Sequence, residues 1–409
     1  MSSRVDILLI FHHFRTPKQR GGLRSYHIVK KLVQAGNSVV TVVPGVDTLS
    51  GIRDSTVKGR FWAKSSGQDI GRIIKVNSFD NIRTSKFKRT CYYLSFSLLQ
   101  FLVSLTIRKP RIVITTSIPL SSLILAWIIS QIKGAKLLVD VRDLSLDTAT
   151  ELGYFADGLF VRTCKFLESF VFRQADQVIV VSKGMGRFLQ AKGVLQENIF
   201  FVPIGFDGDD IISHDQFDVC DTYKLQGKFV VLYAGTLGHV VDIDIILESA
   251  YLLRADSKVH FLIVGDGQRL PEYKSRADKL GLNIIFAGQH PKNRIKDFCL
   301  AADICLYPLN GGQVVGTLAG NKIYDYLGNG CPVIYSGPEG DVAELITKNN
   351  LGSAVPRDAK SLTGAIKEWQ LDPEKLKDAS KRARQVILEK YTISQSMERF
   401  SNIVSQINE

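Results

Sequence analysis

The sequence predicts an α/β protein with two doubly wound, Rossmann-like domains, and three observations support this class. The chain has 409 residues, of which 45% are hydrophobic, enough for two or three domains that each bury a core. Short, β-branched apolar runs alternate with helical segments, which is typical of parallel sheets covered on both faces. These runs form two series, separated by a polar, acidic and glycine-containing stretch at 203–221.

Each apolar run is predicted to be one strand. The first series contains Val5–Phe11, Ser38–Val43, Arg72–Asn77, Arg111–Thr116, Lys136–Val141, Gln177–Val181 and Asn198–Val202. The second series contains Lys228–Ala234, Val259–Val264, Asn283–Ala287, Ile304–Tyr307, Pro332–Tyr335 and Gly352–Val355. We therefore predict one domain over residues 1–204 and another over residues 205–391, facing each other across a cleft. The amphipathic segment 392–409 is expected to form a last helix that packs back on the first domain.

The loops that follow the strands are candidate binding sites, because ligands of open α/β sheets bind at the carboxyl ends of the strands. A cleft between two such sets of loops suits two substrates that are shielded from water. In the second domain, the candidate loops begin at Gly235, Gly265 and Gly288. In the first domain, the candidate residues after the first and fifth strands are Gly21, Gly22, Arg24, Arg142 and Asp143.

The segment 307–337 gives the most specific indication of a ligand. A glycine-rich loop precedes a helix predicted from Asn321, and such a helix start offers free N–H groups to phosphate. Lys322 adds a cation in the first turn, and Asp325 lies one turn later on roughly the same face. A phosphate-binding loop beside a carboxylate suits a nucleoside diphosphate, whose ribose hydroxyls the acid can bind. The alternative is an ordinary helix entry preceded by flexible residues.

Positive charge is concentrated in the N-terminal quarter of the chain. Residues 1–110 contain 19 Lys and Arg against 5 Asp, a net charge of +14, whereas the remaining 299 residues sum to −2. This asymmetry indicates an anionic partner surface, and because no nucleic-acid-binding motif is present we favour a membrane. The alternative is a basic face that only keeps the protein soluble.

Two uncharged stretches lie beside this basic region. The stretch Cys91–Ile107 has basic residues at both ends, which suits a helix lying on an anionic bilayer. The stretch Ile118–Ile132 is expected to be a helix buried against the sheet, and both are too short for a confident membrane span. The N-terminal apolar run is too short for a signal peptide, and six scattered cysteines favour reduced thiols. We therefore expect a cytoplasmic protein in peripheral contact with the inner face of the cytoplasmic membrane.

Five motifs are spread over nearly the whole length of the chain: GGLRSYHIVKKLVQAGNSVVTVV, ADQVIVVSKGM, VLYAGTLG, HFLIVGDGQRLPEYKSRADKLGLNIIFAGQHPKNRIKDFCLAADICLYPL and GNKIYDYLGNGCPVIYSG. In these motifs the chain resembles the GT-B glycosyltransferases of family 4, a retaining group that uses nucleotide-sugar donors. The phrases TTSIPL and VDVRDLSLD are similar to a narrower branch, the transferases of bacterial O-antigen and capsule assembly, including fucosamine transferases.

The resemblance implies roles for residues of the second domain. Asp325 matches the second acid of the family's E-x7-E pair, which binds the donor ribose, whereas Thr317 stands where the first acid is expected. The implied donor-binding residues are Gly235, Thr236, Leu237, Gly265, Asp266, Gly267, Gln289, Thr317, Leu318, Ala319, Gly320, Asn321, Lys322 and Asp325.

The implied catalytic residues are Arg142, Asp143 and Lys322, although Arg142 and Asp143 could simply pair with each other at the strand end. Many family members carry an Arg and a Lys in the loop that begins here at Gly235, and this chain lacks both. The charge of the diphosphate would therefore rest on Lys322, on loop N–H groups and on Arg142. The implied acceptor and phosphate loop contains Gly21, Gly22 and Arg24.

The resemblance also implies a reaction. The expected activity is retaining transfer of a sugar, an N-acetylated hexose, from a UDP-sugar to a saccharide acceptor linked to polyprenyl diphosphate, in bacterial surface polysaccharide synthesis. No metal or other cofactor is expected, because the DxD pattern of Asp242 and Asp244 stands at a helix start, where Asp is a favoured cap. Two alternatives stay open: a sugar-nucleotide epimerase of the same architecture, and a non-catalytic nucleotide-binding partner.

Overall fold

The structure, a computed structural model, describes residues 5–17, 22–47, 51–80, 85–208 and 217–407. The chain divides into two compact units, each with its own parallel sheet and flanking helices. The first unit contains Met1–Asp147, Phe155–Val202 and Met397–Glu409, and the second contains Thr148–Tyr154 and Pro203–Ser396. The predicted class, two Rossmann-like α/β domains, is confirmed. Residues from Met397 onwards return to the first unit, where Glu398 forms an ion pair with Lys31.

The first unit is built on an eight-stranded sheet in the order β3-β4-β2-β1-β5-β6-β7-β8. Every pairing is parallel except that of β3, which runs antiparallel to β4 at the sheet edge. Sequence analysis missed β3 because its residues, WAKSSG, are polar and largely exposed and so form no apolar run. The strands are β1 (Ile7–Ile10), β2 (Val39–Pro44), β3 (Trp62–Gly67), β4 (Gly71–Val76), β5 (Ile112–Thr116), β6 (Lys136–Val141), β7 (Gln177–Val180) and β8 (Ile199–Phe201).

The helices of this part of the chain are α1 (Arg24–Gln34), α2 (Lys86–Thr106), α3 (Leu120–Lys133), α4 (Ser145–Glu151), α5 (Leu159–Gln174) and α6 (Lys183–Ala191). The two uncharged stretches of the sequence form α2 and α3, as predicted. Helix α3 buries Leu123, Ala126 and Ile129, which repeat at helical spacing, and it packs on β5 and β6. Within the described residues, no helix is both long and apolar enough to cross a membrane.

The second unit has a six-stranded, fully parallel sheet in the order β11-β10-β9-β12-β13-β14. Its strands are β9 (Phe229–Ala234), β10 (Val259–Val264), β11 (Ile284–Gly288), β12 (Ile304–Pro308), β13 (Val333–Ser336) and β14 (Gly352–Val355). The helices are α7 (Val219–Tyr223), α8 (Ile243–Leu252), α9 (Leu270–Lys279), α10 (Ile295–Ala301), α11 (Gln313–Gly316), α12 (Asn321–Gly328), α13 (Asp341–Lys348), α14 (Ala359–Leu371) and α15 (Pro373–Lys390). Helix α16 (Ile393–Gln406) begins in this unit, and most of it belongs to the first unit.

Hydrophobic cores cover both faces of the second sheet, as the continuous apolar strands predict. Along β9, Val230 and Leu232 belong to one core, whereas Val231 and Tyr233 belong to the core on the opposite face. This alternation follows from the two-residue period of a strand. Because β9 is central and its neighbours run in the same direction, the loops after β9, β10 and β12 meet at one edge of the sheet.

Glycine allows the loops at this edge to approach more closely than side chains would permit. A Cβ atom added at Gly265 would lie 1.9 Å from the carbonyl oxygen of Gly235, and one added at Gly267 would lie 2.3 Å from that of Leu237. The loops after β9 and β10 therefore touch backbone to backbone. Any larger residue at Gly265 would push the two strand ends apart.

We predict that Gly265→Ala lowers the free energy of unfolding by about 1–3 kcal/mol, the usual cost of forcing an extra carbon into a packed site. The matched control is Gly364→Ala, on the exposed side of α14, where an added Cβ meets nothing within 4 Å. That change should instead stabilise the protein by about 0.5–1 kcal/mol, because alanine favours helix. Urea unfolding of both variants checks the prediction, and equal effects of the same sign would contradict it.

Candidate functional site

The loops that follow β9, β10 and β11 form one continuous backbone ledge in the second unit. The N–H of Gly235 donates to the carbonyl of Val264 (2.8 Å), and the N–H of Gly265 donates to the carbonyl of Gly288 (2.7 Å). The N–H of Leu237 donates to the carbonyl of Asp266 (2.9 Å). The structure thus brings together the predicted donor-binding residues Gly235, Thr236, Leu237, Gly265, Asp266, Gly267 and Gln289, of which Thr236, Asp266 and Gln289 are exposed.

Lys322, in the first turn of α12, extends across this ledge. Its stem lies directly on Gly235, where an added Cβ would meet the Lys322 Cε at 1.9 Å. Its ammonium Nζ donates to the phenol oxygen of Tyr233 (2.6 Å) and lies 4.7 Å from the centre of that ring. The Tyr233 hydroxyl in turn donates to the carbonyl of Thr236 (2.8 Å), which leaves its oxygen to accept from Lys322.

The Lys322 ammonium is held by a neutral phenol and not by a carboxylate. Burial lowers the pKa of Lys322 to about 8, and no charged partner within the described part of the chain offsets this. A partly buried cation of this kind is stabilised by an anionic ligand that supplies the missing charge. Sequence analysis predicted Lys322 but missed Tyr233, because a tyrosine inside an apolar strand looks like a core residue.

Two further phenols fix the start of α12 against the ends of the strands. The Tyr326 hydroxyl donates to the carbonyl of Ala234 (2.8 Å) and accepts from the Ala234 N–H (2.7 Å). The Tyr307 oxygen accepts from the N–H of Gly320 (3.3 Å), and burial raises the pKa of Tyr307 to about 12, so it stays a neutral phenol. These hydrogen bonds therefore fix the start of α12, which carries Lys322, against β9 and β12.

Part of the predicted phosphate loop is already bound to a carboxylate. Glu151, at the end of α4, accepts hydrogen bonds from the backbone N–H groups of Gly312 (3.0 Å), Val314 (2.9 Å) and Val315 (2.9 Å). These N–H groups do attract an anion, but in this structure the anion belongs to the chain itself. Because these N–H groups already donate to Glu151, we expect phosphate contacts only in the second half of the loop, near Gly320 and the start of α12. Glu151 could not be predicted as a partner of this loop, because it is remote from the loop along the chain.

The remaining donor-binding candidates lie between α11 and α12. Thr317 ends α11, and its hydroxyl donates to the carbonyl of Val314 (2.7 Å), so it supplies no acid where the first acid of the pair was expected. Leu318, Ala319 and Gly320 form the link to α12, which begins at Asn321 and whose first turn has no side-chain cap. Asp325 lies one turn further on, partly buried, beside a small cavity of about 20 Å³ that is also lined by Lys292 and Lys296.

In the first unit, a buried carboxylate joins two of the predicted arginines. Asp140, at the end of β6, is fully buried and receives two hydrogen bonds from Arg24 (3.0 and 3.2 Å) and one from Arg142 (2.7 Å). Burial alone would raise the pKa of Asp140, but the two guanidinium groups outweigh it and hold the pKa below its usual value. Sequence analysis missed Asp140 because it lies inside an apolar strand.

The pairing of Arg142 with Asp143, the simple alternative that the sequence left open, is wrong. Arg142 turns back to Asp140, with its guanidinium 5.6 Å from the ring centre of Phe11. Asp143 instead accepts from the hydroxyl of Ser145 (3.1 Å), and burial raises the pKa of Asp143. The Arg24 guanidinium is directed into the same network and also donates to the carbonyl of Val202 (3.2 Å), while Gly22 is exposed just before α1. Gly21 lies outside the described residues.

A cavity of about 480 Å³ opens at the carboxyl ends of β1, β2 and β4, and sequence analysis did not predict it. Its wall includes three basic and two acidic side chains, and Lys75 is bound to Asp54 (2.6 Å). His12 closes one side, where its ring nitrogen bonds the hydroxyl of Tyr92 on α2 (2.9 Å). Burial lowers the pKa of His12, so the imidazole is neutral. The charged residues of the wall are Arg15, Asp47, Arg53, Asp54 and Lys75.

The DxD pattern has structural partners. The side chain of Asp242 accepts from the N–H of Ile245 (3.1 Å) and caps α8, which confirms the capping interpretation. Asp244 forms ion pairs with Arg269 and Arg276. Across the described ranges of the chain, no group of three or more His, Cys, Asp and Glu side chains is arranged to hold a metal ion.

Family models match both units of the chain. The model of the glycosyl transferase 4-like domain matches residues 21–205, and that of the glycosyl transferases group 1 matches residues 221–386. The chain is similar to a protein of Pseudomonas aeruginosa named as a glycosyltransferase, WbjE, with 24% identity over 319 residues, 76% of this chain and 78% of the relative. It is also similar to WcaI of Escherichia coli, named for colanic acid biosynthesis, with 25% identity over 167 residues, 38% of this chain and 40% of the relative.

Among solved structures, HepE of Anabaena in complex with UDP has a similar fold, with a TM-score of 0.73 and 15% identity. The similarity covers 98% of this chain and 100% of that one. HepE has also been solved with UDP-glucose. At this low identity the comparison supports the fold alone, which is the GT-B arrangement of two Rossmann-like domains.

We predict that Asp140→Asn lowers the free energy of unfolding by about 3–5 kcal/mol, because it leaves two guanidinium groups without a buried counter-charge. The control is Glu398→Gln, which removes the exposed ion pair with Lys31 and should cost less than about 1 kcal/mol. Urea unfolding of both variants gives the comparison. If the two substitutions cost the same, the buried network does not stabilise the end of β6.

Proposed function

Because the chain is a glycosyltransferase of the GT-B fold, with a glycosyl transferase 4-like domain followed by a group 1 domain, we propose that it transfers a sugar from a UDP-sugar to a lipid-linked saccharide. The transferred sugar in this proposal is an N-acetylated hexose, and the reaction retains its anomeric configuration. The observation that carries the donor half is the uncompensated Lys322 ammonium on the glycine ledge. The domain matches favour transfer over the epimerase alternative.

The second unit is proposed to bind the donor. A diphosphate offers the charge that Lys322 lacks, and the uncapped first turn of α12 offers N–H groups to the same phosphates. Asp325, one turn along α12, is proposed to accept hydrogen bonds from the ribose hydroxyls. The exposed loop residues Asp266 and Gln289 are then in reach of the base and ribose. The UDP and UDP-glucose complexes of HepE support the choice of uridine.

In the proposed reaction, the bond between the anomeric carbon and the terminal phosphate oxygen breaks as UDP leaves. The acceptor hydroxyl oxygen forms the new bond to the same face of the sugar, and its proton passes to the departing phosphate oxygen. The transition state then has oxocarbenium character, so the protein contributes mainly by stabilising negative charge on the phosphates. In the second unit Lys322 supplies the compensating positive charge, and in the first unit Arg142 is the further candidate for this role.

The first unit is proposed to bind the acceptor, a saccharide linked to polyprenyl diphosphate. WcaI is named as a glycosyl transferase of colanic acid biosynthesis, which supports a role in polysaccharide synthesis. Asp143, with its raised pKa, is a proposed contact of the acceptor hydroxyl beside the carboxyl end of β6. A lipid-linked acceptor places the enzyme at the inner face of the cytoplasmic membrane. The proposal includes no metal and no nucleic acid.

The first test is a thermal-shift panel with UDP, GDP, CMP and NAD. A ligand that binds only the folded state raises the melting temperature of the protein, by an amount that grows with the ratio of the ligand concentration to its Kd. We expect a shift with UDP alone. A shift with GDP alone would overturn the uridine assignment, and no shift with any nucleotide would contradict the donor site as proposed.

We further predict that UDP affinity decreases as pH rises above about 8. The ammonium of Lys322 loses its proton through its pKa of about 8 in the free protein, whereas bound diphosphate favours the protonated form. The terminal phosphate of UDP is already ionised above about pH 7, since phosphate monoesters titrate near 6. The Kd should therefore rise by up to about tenfold per pH unit above 8. Calorimetric titration between pH 7 and about 9.5 measures this dependence.

Lys322→Ala supplies the decisive comparison. It should weaken UDP binding by about tenfold or more at pH 7, because a charge-assisted hydrogen bond is lost, and it should flatten the pH profile. Lys348→Ala is the control, because Lys348 is exposed on α13 and paired with Glu344 (2.8 Å). An unchanged pH profile in Lys322→Ala would remove Lys322 from the site.

A further inference from the structure

Helix α2 has apolar side chains on its exposed side as well as on its buried side, where it covers Tyr92, Phe96 and Val103. It exposes Leu94, Leu98 and Leu102, whose side chains are 62%, 57% and 49% exposed, and it buries Ser97 and Gln100. The exposed leucines repeat every four residues and therefore form one stripe along the helix. Buried polar groups beside an exposed apolar stripe are unusual in a water-facing helix.

The buried polar groups of α2 hold it to the neighbouring helix α3. The hydroxyl of Ser122 donates to the side-chain oxygen of Gln100 (2.6 Å), and the hydroxyls of Ser97 and Ser121 are 2.7 Å apart. Lys133 donates to two carbonyls at the end of α2, those of Leu105 and Ile107. Hydrogen bonds between helices, with leucines facing outward, are the arrangement that an apolar surrounding favours.

Helix α5 continues the same layer and also exposes large apolar side chains. It packs against α3, where the rings of Phe170 and Trp127 meet edge to face at 5.2 Å, and it buries Glu168. At its first turn, Leu159 and Phe160 are 84% and 81% exposed. Because α2, α3 and α5 lie side by side on one side of the sheet, the apolar side chains of α2 and α5 are presented on one surface.

Basic residues border this surface. Lys88 and Arg89 are exposed in the first turn of α2, and Arg108 and Lys109 are exposed just beyond its end. They belong to the segment 1–110, whose net charge is +14. An apolar stripe with cations at both ends matches the layers of an anionic bilayer, where hydrocarbon lies below charged headgroups.

We propose that the outer surface of α2 and α5 docks on an anionic lipid bilayer. Its apolar contacts are Leu94, Leu98, Leu102, Leu159, Phe160 and Phe166. The inference rests on the proposed lipid-linked acceptor and deepens it, because it names the surface that brings the first unit to the membrane. Both helices lie in the plane of the headgroups, and the basic ends bind lipid phosphates.

The test is sedimentation of the full-length protein with vesicles of phosphatidylcholine containing about 30% phosphatidylglycerol, or of phosphatidylcholine alone. Wild type should bind the anionic vesicles at low salt, and much less at about 0.5 M salt or without anionic lipid. The triple variant Leu94→Ser, Leu98→Ser, Leu102→Ser should bind at least about tenfold more weakly at low salt, although all its charges remain. Leu371→Ser, at an 81% exposed leucine of α14, is the control and should bind as wild type.

Two further measurements keep the proposal testable if the triple variant does not fold. Phe160→Ser alone should weaken vesicle binding. When vesicles are added, the tryptophan emission of Phe160→Trp should shift further to the blue than that of wild type, which has three tryptophans. Unchanged binding of Phe160→Ser and of the triple variant would overturn the docking surface, because charge alone would then account for vesicle binding. A wild-type dimer that becomes monomeric in the leucine variant, measured by light scattering, would also overturn it and assign the surface to a second copy.

Failure of this inference differs from failure of the proposed function. If UDP raises the melting temperature but wild type does not bind anionic vesicles, the docking surface is wrong and the donor site stands. If vesicles bind in the predicted way but no nucleotide raises the melting temperature, the donor assignment is wrong and the docking surface stands.

Discussion

The arrangement of the second unit depends on placing one ammonium group, without a carboxylate partner, at the carboxyl edge of a parallel sheet. Gly235 has no side chain at the point where the Lys322 stem crosses it, and a Cβ there would overlap that stem. Tyr233 gives the ammonium a neutral acceptor, so the cation is oriented but not neutralised. Tyr326 then ties α12 to Ala234, which fixes the distance over which Lys322 must reach. A carboxylate in place of Tyr233 would satisfy the cation and remove its need for an anionic ligand.

The charged network of the first unit follows the opposite design. Asp140 is buried between Arg24 and Arg142, and each charge has an opposite charge within hydrogen-bonding distance. Such a network holds the end of β6 and the start of α1 in one geometry, and its two guanidinium groups exceed its single carboxylate by one positive charge. The two units therefore use buried charge differently. In the first unit both arginines have a carboxylate partner, whereas in the second unit Lys322 has only a neutral phenol as its partner.

The parallel strands were predictable from sequence because each is a continuous apolar run that both faces of a sheet must bury. The edge strand β3 was not, because an antiparallel edge with one neighbour needs no apolar run. Within the site, the glycine loops and Lys322 stood out by composition and by their position after strands. Tyr233, Asp140 and Glu151 did not, since their roles depend on partners that are distant along the chain. Glu151 is the clearest case: its carboxylate meets N–H groups of residues 312–315, and no local pattern marks that contact.

Helix α2 shows that a periodic pattern does not by itself determine which side of a helix is buried. A helix with leucines every four residues and serines between them is normally interpreted as placing its leucines in the protein core. In this structure the rings of Tyr92 and Phe96 are buried, and Ser97 and Gln100 form hydrogen bonds to α3, so the sheet side of the helix is already filled. The leucines are left on the outside, where water would make their exposure unfavourable. The same sequence is well placed if the outer medium is hydrocarbon, because the polar side chains then satisfy one another between helices. The orientation of α2 thus becomes physically consistent once a bilayer replaces water on its outer side.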